Sequence, residues 1–151
     1  PNAVLIILNP SNNTTEQAKL TSLASSLGVN IRFVVDASDT DLVYYYSLAS
    51  ILLQPSLDEN IHFPVLEAAA CECPSVGFKG EFLSEDILDS STGYLVSKYQ
   101  SERMGLSAAT LAKDSMLLST FGLKARSYVV SNFSWDNCVK EYRRILDDKS
   151  I

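Results

Sequence analysis

A short run of β-branched and apolar residues, Ala3 to Leu8 (AVLIIL), constrains the fold more than any other feature of the chain. Continuous rather than alternating apolarity predicts a strand covered on both faces, as in parallel sheets. Asn9-Pro10-Ser11-Asn12-Asn13 breaks the run, and Thr14 or Thr15 can cap a helix to about Leu27, with Glu16 in its first turn. Leu20, Leu23, Ala24 and Leu27 give this helix a predicted buried stripe, and Gly28 stands where a helix-ending residue is expected. Ile31–Val35 predicts a second buried strand. Ser38 or Asp39 caps a second helix whose Leu42, Tyr45, Tyr46 and Ala49 share a helical spacing. Ile51–Leu53 is the third strand. Strand and helix alternating at this interval imply βαβ units with right-handed crossovers.

The pattern continues with a helix over Pro64–Glu72, a strand at Ser75–Phe78, a short helix near Ser84–Leu88 and a strand at Tyr94–Val96. Beyond Ser101 it is helical, over about 101–113, 115–131 and 135–147, with Ser134 as the N-cap of the last helix. No repeat and no linker-like shift in composition divides the chain. The expected fold class is α/β: a single doubly wound, parallel-sheet, Rossmann-like domain over residues 1–151 with a helical C-terminal tail.

Composition removes several functions. A net charge of −6 with scattered Lys and Arg argues against nucleic acid, which requires a clustered basic face. No apolar run approaches the ~20 residues of a membrane span, and nothing resembles a signal peptide. Three cysteines, Cys71, Cys73 and Cys138, are an odd number without zinc-ligand spacing, so reduced thiols in a cytoplasmic protein are expected. Tyr44, Tyr45 and Tyr46 are consecutive and cannot share a helical face, which favours packing over a stacking site.

In open α/β sheets ligands bind beyond the carboxyl ends of the strands. The most informative loop there lies within Ser56–Pro74 (SLDENIHFPVLEAAACECP), where Glu59 and Glu67 stand eight positions apart around Pro64. A proline at the first helical position leaves preceding N–H groups free, and the helix dipole adds partial positive charge, which suits a diphosphate. Glu67, one turn in, can accept hydrogen bonds from vicinal hydroxyls, and Glu59 can do the same for a sugar ring. Lys79, after the fourth strand, is the nearby basic candidate. Acidic residues near a helix N-terminus are stabilising by ~0.3–1 kcal/mol with no ligand. By themselves, two glutamates and a proline therefore describe an ordinary capped helix.

The wider sequence decides between these readings. The stretch ENIHFPVLEAAACECPSVGF resembles, without a gap, the motif E-G-F-G-L-P-x-x-E-A-M-A-x-G-x-P-V-V of nucleotide-sugar-dependent glycosyltransferases of family four, or glycosyl transferases group 1. Upstream, RFVVDASDTDLVYYYSLASILLQPS is similar to the family's segment leading to its P-S strand. Downstream, Thr92-Gly93, the helix with Gly122-Leu123-Lys124-Ala125-Arg126, and Phe133-Ser134-Trp135 resemble later family motifs in order.

That resemblance implies the C-terminal, donor-binding half of the two-domain GT-B fold and a nucleoside-diphosphate sugar as partner. It also implies transfer with retention of configuration and no metal or other cofactor. Glu59 matches the glutamate that contacts the donor sugar and is the implied catalytic residue. Glu67 matches the ribose-binding glutamate, and Asn60, Ile61, His62 and Phe63 would lie near the diphosphate. The family's diphosphate-binding arginine and lysine belong to a strand–helix unit ahead of the present first strand. That unit and the N-terminal acceptor-binding domain are expected to lie outside this chain, as is any membrane association. Such a chain alone is expected to be inactive.

Asn60 and His62 replace two glycines that let backbone approach the ligand, and Glu81 adds a carboxylate near the diphosphate position. His62 would be a phosphate ligand or a solvated, packing side chain. Glu72 replaces a helix-terminating glycine, at a cost on the order of 1 kcal/mol if its φ is positive. These departures leave an alternative: a degenerate, glycosyltransferase-like binding or regulatory module without transfer activity.

Overall fold

The computed structural model describes residues 3–8, 14–57, 63–80 and 83–147. The chain divides into two units, 1–42 and 43–151.

In the first unit the opening apolar run forms β1 (Val4–Leu8), which pairs in parallel with β2 (Asn30–Val34), Val4 opposite Asn30 and Leu8 opposite Val34. The crossover is α1 (Thr14–Ser26), which packs on β2. It ends as the sequence predicts. Gly28 takes φ +66°, its N–H bonds Ser25 O, and Val29 N–H bonds Ala24 O at 2.8 Å, the Schellman arrangement. Burial departs from expectation. Val4 and Leu5 of β1 are exposed, and Ala24 alone of the predicted α1 stripe is buried, with Leu23 at 55% and Leu27 at 67% exposure. Two strands and one helix offer too little surface to enclose their own apolar side chains.

From Asp39 the chain runs through α2 (Asp39–Leu48), capped by Ser38 in a reciprocal arrangement with Asp41. Asp41 Oδ2 accepts from Ser38 N–H at 3.0 Å and from Ser38 Oγ at 2.6 Å, and Ser38 Oγ accepts from Asp41 N–H. These bonds to the ionised form hold the Asp41 carboxyl below its usual range.

The second unit is built on a parallel sheet of order β3-β4-β5: β3 (Leu52–Gln54), β4 (Ser75–Phe78) and β5 (Gly93–Val96). All four residues of the central strand are buried, the property that the sequence pattern predicted for the first two strands of the chain. Side chains alternate between the two faces. Leu52 and Leu95 pack with Val65, Leu83 and Ile87, beneath α3 (Phe63–Ala70) and α4 (Leu83–Asp86). Val76, Phe78, Tyr94 and Val96 pack with Met104 and Ala108 of α5 (Ser101–Lys113). The sheet is thus wound on both faces, and the architecture is α/β as expected.

Thr92-Gly93 has a steric purpose. Thr92 Oγ1 accepts from Leu88 N–H at 2.8 Å and closes the turn into β5, while a Cβ on Gly93 would collide with the Ser75 carbonyl. The C-terminal helices follow as α5, α6 (Ser115–Asn132) and α7 (Trp135–Asp147). Asp114 caps α6 by accepting from Leu117 N–H at 2.9 Å. Ser134 caps α7 by accepting from Asn137 N–H, as its position predicts.

Candidate functional site

Parallel pairing brings the carboxyl ends of β3, β4 and β5 to one edge of the second sheet, and α3 begins beyond β3 on that edge. Among the described residues α3 runs from Phe63, and Pro64, the predicted first helical residue, lies in the first turn of that stretch. Proline needs no intrahelical acceptor there, and its fixed φ suits the helix. Phe63 is 62% exposed at this tip. Val65, Ala68 and Ala69 form the buried face of α3, and Glu67 lies on its exposed face.

Glu67 has a partner that its sequence context did not announce. Tyr46, on α2, donates its hydroxyl to Glu67 Oε2 at 3.1 Å. Tyr46 is only 6% exposed, whereas Tyr44 is largely open to solvent and Tyr45 half-buried. The packing role expected of the tyrosines holds for Tyr46, with a polar function added at its tip. Burial, reinforced by the Glu67 charge, raises the Tyr46 phenol well above its usual range, so it remains a donor at any physiological pH. No signal in Tyr44-Tyr45-Tyr46 could have singled it out, because the contact joins two helices separated by a strand.

The far end of α3 is held by three separate devices. Glu72 takes φ +63°, its N–H bonds Ala69 O at 3.0 Å, and Cys73 N–H bonds Ala68 O at 2.9 Å. This is the Schellman stop with glutamate in the left-handed position anticipated for glycine. α6 packs across the same end. A Cβ on Gly122 would collide with the Glu72 carbonyl, Ala125 packs on Ala69, and the Arg126 guanidinium donates to Ala70 O. The G-x-x-A-R resemblance thus has a physical content: small, small, then a cap.

Lys79 follows β4, exposed, with its N–H bonded to Val96 O at 2.7 Å. It shares the carboxyl edge of the sheet with the α3 tip. Glu59, Asn60, Ile61 and His62 lie outside the described residues, as do Glu81 and the Asn9–Asn13 loop. Among the described residues, no three His, Cys, Asp or Glu side chains cluster as a metal site. Nor is any described helix long and apolar enough to cross a membrane.

Comparison with known proteins places this arrangement. The sucrose-phosphate synthase of Thermosynechococcus elongatus superposes with a TM-score of 0.82 at 21% identity, over 96% of this chain and 39% of that one. HepE of Anabaena, solved in complex with UDP-glucose, superposes with a TM-score of 0.79 at 15% identity, over 97% and 40%. These likenesses establish the fold, that of GT-B glycosyltransferases.

The chain belongs to the family of glycosyl transferases group 1, whose sequence profile matches residues 1–128. D-inositol 3-phosphate glycosyltransferase of Kribbella flavida is 32% identical over 136 residues, 88% of this chain and 32% of that protein. The chain spans 26–32% of the length of the first curated relatives it matches.

Proposed function

We propose that this chain is the donor-binding wall of a retaining glycosyltransferase that takes a nucleoside-diphosphate sugar. The observation that carries this reading is Glu67 itself. It is exposed, one turn into a helix that opens at the carboxyl edge of a parallel sheet, in a chain of this family. A carboxylate there can accept bonds from two vicinal ribose hydroxyls. The helix dipole, the amides of Ile61–Phe63 and the Lys79 ammonium would carry the diphosphate, which leaves with its negative charge stabilised by the protein and no metal. Glu59, with Asn60 and His62 beside it, would meet the sugar ring and the positive charge that develops at its reacting carbon.

HepE, solved with UDP-glucose, supports a uridine donor as the first probe. A two-domain transferase reacts in the cleft between its halves, so the acceptor would be held by a facing domain.

The test is titration calorimetry of the full-length protein with UDP, GDP and ADP and their glucose conjugates. One nucleotide binds, and Glu67→Ala weakens it about tenfold, in line with hydrogen bonds to a charged group. Failure of every nucleotide and conjugate to bind overturns the proposal. The second reading, a binding module without transfer, draws on Asn60 and His62 in place of glycines. Sugar transfer or donor hydrolysis abolished by Glu59→Ala removes it.

A further inference from the structure

We infer that Tyr46 is a positioning residue for nucleotide recognition: its hydroxyl pins Glu67 Oε2 and so presents Oε1 to the ribose hydroxyls. The inference rests on the proposed role of Glu67, and its argument is geometric. Glu67 is exposed on α3 and carries a long side chain with several accessible rotamers. A free carboxylate of this kind must be ordered when ligand arrives, and that loss of freedom weakens binding. Here the ordering is done beforehand. The Tyr46 ring is buried, its helix is anchored at Ser38–Asp41, and its hydroxyl meets Glu67 Oε2 at 3.1 Å.

A phenol hydroxyl has a single proton to donate, and here it goes to Oε2. Because this bond is made to Oε2, it does not draw on the acceptor directions of Oε1. α3 is itself fixed at its opposite end by α6, so the carboxylate is held at both its root and its tip. Two alternative roles for Tyr46 predict different outcomes. A purely structural tyrosine changes folding stability and affects all nucleotides alike. A tyrosine that contacted the ligand itself would not act through Glu67.

The experiment compares binding of UDP and 2′,3′-dideoxyuridine diphosphate to the full-length protein by calorimetry, for wild type, Tyr46→Phe, Glu67→Ala and the double variant. Wild type is expected to prefer UDP about tenfold, the worth of a hydrogen bond to a charged group. Tyr46→Phe keeps the ring and should reduce that preference to about twofold to threefold, leaving affinity for the dideoxy nucleotide and the thermal midpoint near wild type. In the Glu67→Ala background, Tyr46→Phe should have no further effect on the preference. If Tyr46→Phe does not fold, Tyr46→Met is read in the same way.

A wild-type preference in Tyr46→Phe overturns the inference while leaving Glu67 in place. So does a loss of preference that persists additively in the Glu67→Ala background. If wild type shows no preference, or Glu67→Ala binds UDP as wild type does, the ribose role of Glu67 fails and the positioning role falls with it.

Discussion

Glu72 is the most costly conformation in the neighbourhood of the site. At φ +63° a residue with a Cβ is disfavoured by about 1 kcal/mol, and its contact with Arg126 Nε, at 3.8 Å and half exposed, offsets little of that. Glu72→Gly is therefore expected to stabilise the protein by about 0.5–1 kcal/mol, read as a higher urea midpoint with unchanged slope. Cys73, the next residue, is 1% exposed, and burial with the nearby Cys71 pushes its thiol up to about 12. The sign follows from which form the fold favours. Folding holds the thiol protonated, so its contribution is complete below about pH 9, the unfolded value, and is lost as pH rises towards 12. Thermal midpoints should fall across that window, and Cys73→Ala should flatten the fall. At this scale the sequence was legible where a residue acts through its own backbone: Gly28, Ser134 and the strained Glu72 were all foreseeable. The Tyr46 contact was not, because it is made to a partner 21 positions away.

At the scale of elements, predicted and observed boundaries agree closely, with α5 matching end to end, α7 matching at its start and β3 shifted by one residue. Turn chemistry and helix caps explain that success, since both are local. Burial was less legible. The apolar run of β1 and the leucines of α1 read as core, yet whether such a face is covered depends on how many elements assemble around it. The contact between α3 and α6 offers a test in which two effects oppose one another. Helix propensity alone makes Gly122→Ala stabilising by about 1 kcal/mol. The Glu72 carbonyl sits where the new methyl would go, and overpacking of this kind costs about 1–3 kcal/mol. The steric effect should win, giving a net loss of stability on chemical denaturation. A gain would show that α6 can retreat freely.

For the molecule as a whole, the α/β class and parallel pairing followed from the alternation of short apolar runs with helical spacing. The distribution of strands over two sheets did not follow, because periodicity identifies strands without saying which are neighbours. The helix that carries Phe63 and Glu67 opens at the carboxyl edge of the second sheet, and Lys79 follows a strand there, as the pattern of strands and helices implied; several motifs of the matched family now have visible physical purposes. Those purposes are mostly architectural. Gly122, Ala125 and Arg126 grip α3, and Thr92-Gly93 seats β5 against β4. A chain can retain all of them whatever its donor, which is why homology is plain here while base and sugar are not written in any single residue.

The grip of α6 on α3 also makes that helix a lever. Its fulcrum is the Glu72 end, its arm is about 12 Å for eight residues, and the arm ends at Phe63. A tilt of about five degrees at the fulcrum displaces the tip by about 1 Å, a displacement large enough to change chemistry a hundredfold. Selection on α6, a helix that packs at the opposite end of α3, is therefore also selection on where Phe63 sits.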